Sequence, residues 1–350
     1  MPLKVIFLPG LGCSKLQVNG IDLVPTMLGG IMNLRLDSNG NDMAGNLVKA
    51  KGILLDIPGT IPVYGPLVTF FEKKGFEFEN IDGSRIKNGN TLYAFPYDFR
   101  KDISIASDSL ERFVNQIKEE SESNDVIILS HSMGNLVALD CILKSSHDLV
   151  SKLVCIAPPF DGVPQVYASL NYGTEFPLPK TNPMGLDPRK FQELVVNWQG
   201  LYQLLPFNHY DDASKGFYSK QNTTLSLRET YEKSELLNKD MISRAKSWKD
   251  NLIRKWEESD FENIYLISGE LADNKTICHI CENISSGSTN VSYDTCTGDG
   301  TIPKTSYEKI STHTSLRPIV HKYHYTGIDA EHNALTQNPQ VLERIFSIIS

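Results

Sequence analysis

The 350-residue sequence has no uninterrupted apolar run near the ~18 residues that a membrane-crossing helix needs. Any membrane contact is therefore expected to be peripheral. Basic charge is also short: 34 Lys and Arg against 42 Asp and Glu leave a net charge of -8. Nucleic acid, whose phosphates demand a basic surface, is a poor fit, and strong attraction to anionic lipid headgroups is disfavoured. Cysteine is too sparse for a disulfide scaffold, at six residues. There is no internal repeat, low-complexity tract or heptad array. The opening MPLKVIFLPG has no small-residue cleavage site and reads as a strand and turn, not a signal peptide, so an intracellular protein or a processed form is expected.

Material for a core is ample. Hydrophobic residues make up 40% and charged residues 22%, and 350 residues suit one large domain carrying an insertion. Lys4 to Leu8 is a β-rich run stopped by Pro9-Gly10, with Ile53 to Ile57 and Thr91 to Ala94 as further strands. Apolar residues at 103, 106, 110, 113, 114 and 117 predict a helix over 103–120. Strand 125–129, helix 136–143 and strand 152–157 follow, an alternation that builds a parallel sheet flanked by helices. After Pro158-Pro159 the pattern turns irregular, with charged helical stretches at 187–205 and 230–258. Strands at 263–268 and 318–325 and an amphipathic helix at 339–349 close the chain. The expectation is an α/β core, a mostly parallel sheet flanked by helices, from 1–159 and 259–350, a cap at 160–258, and a lid or membrane-contact loop within 20–60.

The chemistry centres on Val126-Ile-Ile-Leu-Ser-His-Ser-Met-Gly-Asn135. A strand ending in a small residue, then x-Ser-x-Gly, then a helix is the nucleophile elbow of α/β-hydrolases. The turn is so tight that positions two before and two after the serine must be small, and here they are Ser130 and Gly134. Ser132 could equally be a helix cap. A nucleophilic serine also needs a histidine to accept its proton and an acid to orient that histidine, in the chain order Ser, acid, His. Asp299 lies between glycines in Thr297-Gly-Asp-Gly-Thr-Ile-Pro303, and it could alternatively serve an Asp-Gly hairpin turn. Among the downstream histidines, His313, His321 and His324 sit in or near a strand, whereas His332 occupies the loop before the last helix. Such a loop can bring a ring over the serine, so His332 is preferred, with Asp299 over Asp329 as its orienter. The backbone N–H groups of Leu11 and Met133 would supply the oxyanion site.

Other groups admit two readings. Cys278, Cys281 and Cys296 could hold one disulfide or, with His279, a structural zinc ion. Leu23, Met27, Leu28, Ile31 and Met32 could dip into lipid or lie buried beneath the cap. Asp98 and Arg100 read as a structural ion pair near the site, with substrate contact as the other reading. His131 reads as a neighbour of the elbow and not a second base.

With these residues in place, the chain resembles the lecithin:cholesterol acyltransferase family, which includes lysosomal phospholipase A2 and the phospholipid:diacylglycerol acyltransferases. The matching motifs are Leu8-Pro-Gly-Leu-Gly-Cys-Ser-Lys-Leu16, Asn33-Leu-Arg-Leu36, Phe95-Pro-Tyr-Asp-Phe-Arg100, His131-Ser-Met-Gly-Asn135, Ala157-Pro-Pro-Phe-Asp-Gly-Val163, Leu204-Leu-Pro206, Gly298-Asp-Gly-Thr301 and Glu331-His332, in family order. The resemblance implies a triad at Ser132, Asp299 and His332, a cap over an acyl pocket, phospholipid substrates, and transfer of the acyl group to water or to a sterol, glyceride or other alcohol. It implies no cofactor, and it adds a secretory, vacuolar or lysosomal location for a processed form. The family's Tyr-Asp-Trp-Arg is Tyr97-Asp-Phe-Arg100 here, and the cysteine pair of mammalian members is absent near 20–60. A soluble esterase or neutral-lipid lipase, and a non-catalytic lipid-binding protein, are the alternatives.

Overall fold

Strands that are apolar on both faces must be covered on both faces. The computed structural model, which describes every residue except 1, 24–29, 58–60, 82–85, 122–124, 146–147, 174–186, 209–210, 274, 286–287 and 309–320, meets that demand with one seven-stranded sheet. Its strands are Lys4–Leu8 (β1), Glu77–Asn80 (β2), Thr91–Ala94 (β3), Val126–His131 (β4), Lys152–Ile156 (β5), Ile264–Glu270 (β6) and His321–Thr326 (β7). They lie in the order β7-β6-β5-β4-β1-β3-β2, and every pairing is parallel. Burial follows position: β1 and β4 are buried throughout, whereas the edge strand β7 alternates between exposed and half-buried residues.

Alternating side chains divide the core into two layers. Ile6, Leu8, Ile128 and Leu153 point to the side covered by helices Ile103–Glu120 (α2) and Gly134–Lys144 (α3). Val5, Phe7, Ile127, Leu129 and Val154 point to the other, where Leu67 and Phe71 of helix Gly65–Lys73 (α1) and Val341 and Ile345 of helix Pro339–Ile349 (α5) pack. Helix α2 starts where Asp102 accepts a hydrogen bond from the Ser104 amide at 3.0 Å, and it buries the apolar stripe that its sequence spacing predicts. The fold is that of an α/β-hydrolase.

Several elements depart from the sequence reading. The strand expected at 53–57 is not in the central sheet. Val48–Ile53 instead joins Ser14–Val18 and Ile21–Leu23 in a separate three-stranded sheet, and Asp56–Ile57 pairs with Ile61–Pro62. The stretch at 187–205 breaks into helices Pro188–Val195 and Gln199–Tyr202, and the one at 230–258 into Leu227–Lys233 and Lys239–Glu258 (α4). The segment that carries Cys278, Cys281 and Cys296 is a hairpin, Thr276–Ser285 with Ser288–Cys296. Its first strand pairs with Tyr218–Lys220, tying the hairpin to the 160–258 segment.

The 31–42 segment is held from below and from the side. Arg100, fully buried, donates to the Leu34 carbonyl at 3.0 Å, to Asp42 at 2.7 Å, and to both oxygens of Asp98 at 2.8 and 2.6 Å. The indole of Trp198 reaches the same Leu34 carbonyl at 3.0 Å, and Asn197 donates to the Leu36 carbonyl at 3.1 Å. Asp98 and Arg100 thus form a structural cluster. Ile31 is accordingly part of the core, and Leu23 and Met32 are half-buried against it, which removes Ile31 as a lipid contact. Met27 and Leu28 lie outside the described residues.

Candidate active site

At the end of β4 the chain must reverse into α3 within a few residues. Ser132 takes φ 52°, a left-handed conformation that non-glycine residues adopt only when their surroundings hold them there. The holding groups are identifiable. Its amide donates to the Ile156 carbonyl at 3.0 Å, and Asn135 donates from its side-chain amide to the Ser132 and Ile156 carbonyls, both at 2.8 Å. Ser130 donates to the Asn135 amide oxygen at 2.7 Å. Serine at the position where a glycine is usual is therefore small and also a working donor. Gly134 has no such latitude, because a Cβ there would lie 2.7 Å from the Pro9 carbonyl oxygen and 2.8 Å from that of Leu8.

Asp299 arrives on the turn that follows the hairpin and is completely buried. One carboxylate oxygen accepts from the Thr301 and Ile302 amides at 3.0 and 2.6 Å, and the other accepts from His332 Nδ1 at 2.8 Å. The His332 amide donates to the Asp299 carbonyl at 2.9 Å, which locks the two loops together. With Nδ1 engaged as a donor, His332 Nε2 presents its lone pair to Ser132 Oγ at 3.0 Å. Burial pulls the His332 pKa down, but the Asp299 carboxylate and its hydrogen bond more than offset this and leave it above the ordinary value. The structure thus brings Ser132, Asp299 and His332 into one hydrogen-bonded chain. His321 stacks on Tyr265 instead, and His324 bonds Ser268 and Glu270; His313 lies outside the described residues.

A second buried chain runs behind the first. The Gly10 amide donates to the Tyr64 hydroxyl at 2.8 Å, that hydroxyl donates to His131 Nδ1 at 2.9 Å, and His131 Nε2 donates to the His332 carbonyl at 3.1 Å. A carbonyl can only accept, so it fixes the proton on Nε2 and leaves Nδ1 as the acceptor. Burial, together with the neighbouring His332, pushes the His131 pKa well below its ordinary value and keeps the ring neutral. The loop after β1 and the loop bearing His332 are therefore connected through two side chains. Sequence reading does not find Tyr64, because it lies 67 positions from His131 and belongs to no motif.

Leu11 and Met133 are both buried, and neither backbone N–H donates a hydrogen bond among the described residues. Gly10 packs directly on the serine, where an added Cβ would lie 2.9 Å from Ser132 Cβ. Asp98 and Arg100 bond within the cluster that holds the 31–42 segment, and neither side chain bonds Ser132, Asp299 or His332 among the described residues. Cys278, Cys281 and Cys296 are free thiols, His279 bonds Ser219 at 2.6 Å, and no three His, Cys, Asp or Glu side chains are grouped as metal ligands among the described residues.

A parallel sheet, a left-handed serine between strand and helix, and His and acid loops from beyond the sheet define an α/β-hydrolase with its hydrogen-bonding groups assembled around one serine. Within that class the chain belongs to the lecithin:cholesterol acyltransferase family, whose sequence profile matches residues 77–323. It is 27% identical over 134 residues to "Phospholipase A(1) LCAT3" of Arabidopsis thaliana, a match covering 36% of this chain and 30% of that protein. The same fold is found in the crystal structure of the Tle4-Tli4 complex, with a TM-score of 0.62 at 11% identity, over 99% of this chain and 98% of the other.

Proposed function

We propose that this protein is a serine-dependent enzyme acting on acyl esters of glycerophospholipids, a phospholipase A or O-acyltransferase that works through an acyl-enzyme at Ser132. The observation that carries the proposal is the continuous chain from Ser132 Oγ through His332 to Asp299, with contacts of 3.0 and 2.8 Å. Membership of the lecithin:cholesterol acyltransferase family and the likeness to a plant phospholipase A(1) support lipid esters as the substrate class.

In this mechanism His332 Nε2 takes the Ser132 proton as Oγ attacks the ester carbonyl, and Asp299 stabilises the resulting imidazolium without itself taking the proton. The negative charge on the former carbonyl oxygen is received by the unengaged N–H groups of Leu11 and Met133. Collapse of that intermediate expels the lyso-lipid oxygen, to which His332 returns the proton. The same histidine then activates water or an alcohol to release the acyl group. Residues 160–258 act as the cap, reinforced by the 276–296 hairpin. The lipid reaches the serine by peripheral contact with the membrane. Hydrolysis and transfer share every step except the last attack, which depends on whether the site admits water or holds a hydroxyl in its place.

The test uses phosphatidylcholine vesicles labelled in one acyl chain, with and without a sterol or long-chain alcohol, and compares wild type with Ser132→Ala. Label in a new ester marks a transferase, and label in free fatty acid marks a phospholipase. No release from vesicles with rapid turnover of soluble short-chain esters would replace the lipid reading with an esterase. Equal release by wild type and Ser132→Ala would overturn the mechanism.

A further inference from the structure

The three cysteines of the 276–296 hairpin are not equivalent. Regular antiparallel pairing sets Thr276 opposite Cys296 and Ile277 opposite Thr295, and the register then slips so that His279 faces Asp294. Cys278 is the residue at the slip. A bulge frees its residue from strict alternation between the two faces, and the Cys278 thiol, which donates to the Asp294 carbonyl at 3.7 Å, also lies within interaction range of the Cys296 thiol on the neighbouring strand. Cys281 sits one turn of the ladder further on, opposite Ser292, where its thiol donates to Asp294. Among the described residues, Cys278 and Cys296 are the pair whose thiols interact.

We propose that Cys278 and Cys296 are a redox modification site, closed to a disulfide by exchange with a small-molecule disulfide such as oxidised glutathione, with Cys281 left as a free thiol. The Cys278 thiolate attacks one sulfur of the reagent and expels one thiol. Cys296, as thiolate, then attacks the mixed disulfide at Cys278 and expels the second. One reagent disulfide is reduced to two thiols and one protein disulfide is formed, so the electrons balance without a further oxidant.

Two features fit Cys278 as the attacking group. Its pKa is held below the ordinary thiol value by the neighbouring Cys296 thiol, while that of Cys296 is raised. Cys278 also lines a cavity of about 290 Å³ together with Asp161, Lys215, Phe217, Pro303 and Ser306, which gives a small reagent a route to it. The bond would staple the hairpin at its base. There Thr276 accepts a hydrogen bond from the Gly300 amide at 2.8 Å and stands against Gly298, on either side of Asp299.

The test is to incubate the folded protein in glutathione buffers of graded oxidised-to-reduced ratio, quench with acid, alkylate, and map the peptides by mass spectrometry. Cys278 and Cys296 should lose alkylation together and appear as one linked peptide, with Cys281 alkylated at every ratio and Cys281→Ser giving the same titration. In Cys296→Ser the expected product is a glutathione adduct that accumulates on Cys278. A linked peptide containing Cys281, or full alkylation of all three cysteines at the most oxidising ratio, would overturn the assignment.

Discussion

Replacing Tyr64 by Phe removes one oxygen and nothing else, yet that oxygen serves both the loop after β1 and the loop bearing His332. It accepts from the Gly10 amide at 2.8 Å and donates to His131 Nδ1 at 2.9 Å. Tyr64 is 1% and His131 2% exposed, so water cannot take its place without opening the core. Two buried polar groups lose their partner, each at a cost of about 1–3 kcal/mol, which gives roughly 2–6 kcal/mol in all. Relaxation should bring the measured value toward the lower half, about 2–4 kcal/mol, readable as a lowered urea midpoint with unchanged slope. Activity should suffer beyond stability, because Gly10 precedes the Leu11 amide. Misplacing one oxyanion donor costs about 10²–10³-fold in kcat. Assayed on a soluble ester well below the unfolding transition, Tyr64→Phe should lose kcat with little change in KM. Wild-type kcat together with a wild-type urea midpoint would refute the view that this hydroxyl holds the two loops.

Other perturbations separate the remaining roles. The His332 pKa lies above the ordinary imidazole value of about 6.5, and the ring must be neutral to accept the serine proton, so kcat/KM should fall on acidification with a midpoint above 6.5. In Asp299→Asn burial acts without the carboxylate, so that midpoint should move to lower pH while kcat drops by about four orders of magnitude, checked by a pH–rate profile. Gly134→Ala forces a Cβ onto the Pro9 and Leu8 carbonyls at 2.7 and 2.8 Å and should cost about 1–3 kcal/mol by chemical denaturation. Arg100→Leu removes the guanidinium that Asp98, Asp42 and the Leu34 carbonyl share, leaving the carbonyl to the Trp198 indole and Asp42 to Lys101. Because both carboxylates are partly exposed, the loss should be about 2–3 kcal/mol, less than for a fully buried pair, and proteolysis at 31–42 should accelerate.

The serine, acid and histidine that meet in the structure are legible because each is marked locally, by a strand-turn-helix junction, a glycine-flanked turn and a loop ahead of the last helix. The central strands are legible because burial on both faces writes itself as unbroken apolar runs, as in Val126 to Leu129. Tyr64 is not legible, since nothing in its neighbourhood signals a hydrogen bond to a side chain beyond β3. The 276–296 hairpin was hidden for another reason. Its cysteines and histidine suggest ligands or disulfides, and they distract from the Thr, Ile, Val and Tyr content that favours a strand. Ile31 shows the limit of composition: apolar residues among glycines look alike whether lipid or protein covers them, and here the deciding groups, Arg100 and Trp198, lie far along the chain.

The placement of β1 has a consequence for biosynthesis. Lys4 is aligned with Thr91 on one side and Val126 on the other, so the first of the seven strands in chain order becomes an interior strand of the sheet, between β3 and β4. During translation it must wait for the 122 residues from Lys4 to Val126 before both neighbours exist. At about 5–20 residues per second that interval is roughly 6–24 s. Throughout it, Val5 to Leu8 has at least one apolar edge without a partner, a natural client for chaperones on the ribosome. Slow codons placed after β4 would give the nascent chain time to thread this strand home, and slow codons before it would only prolong the exposure.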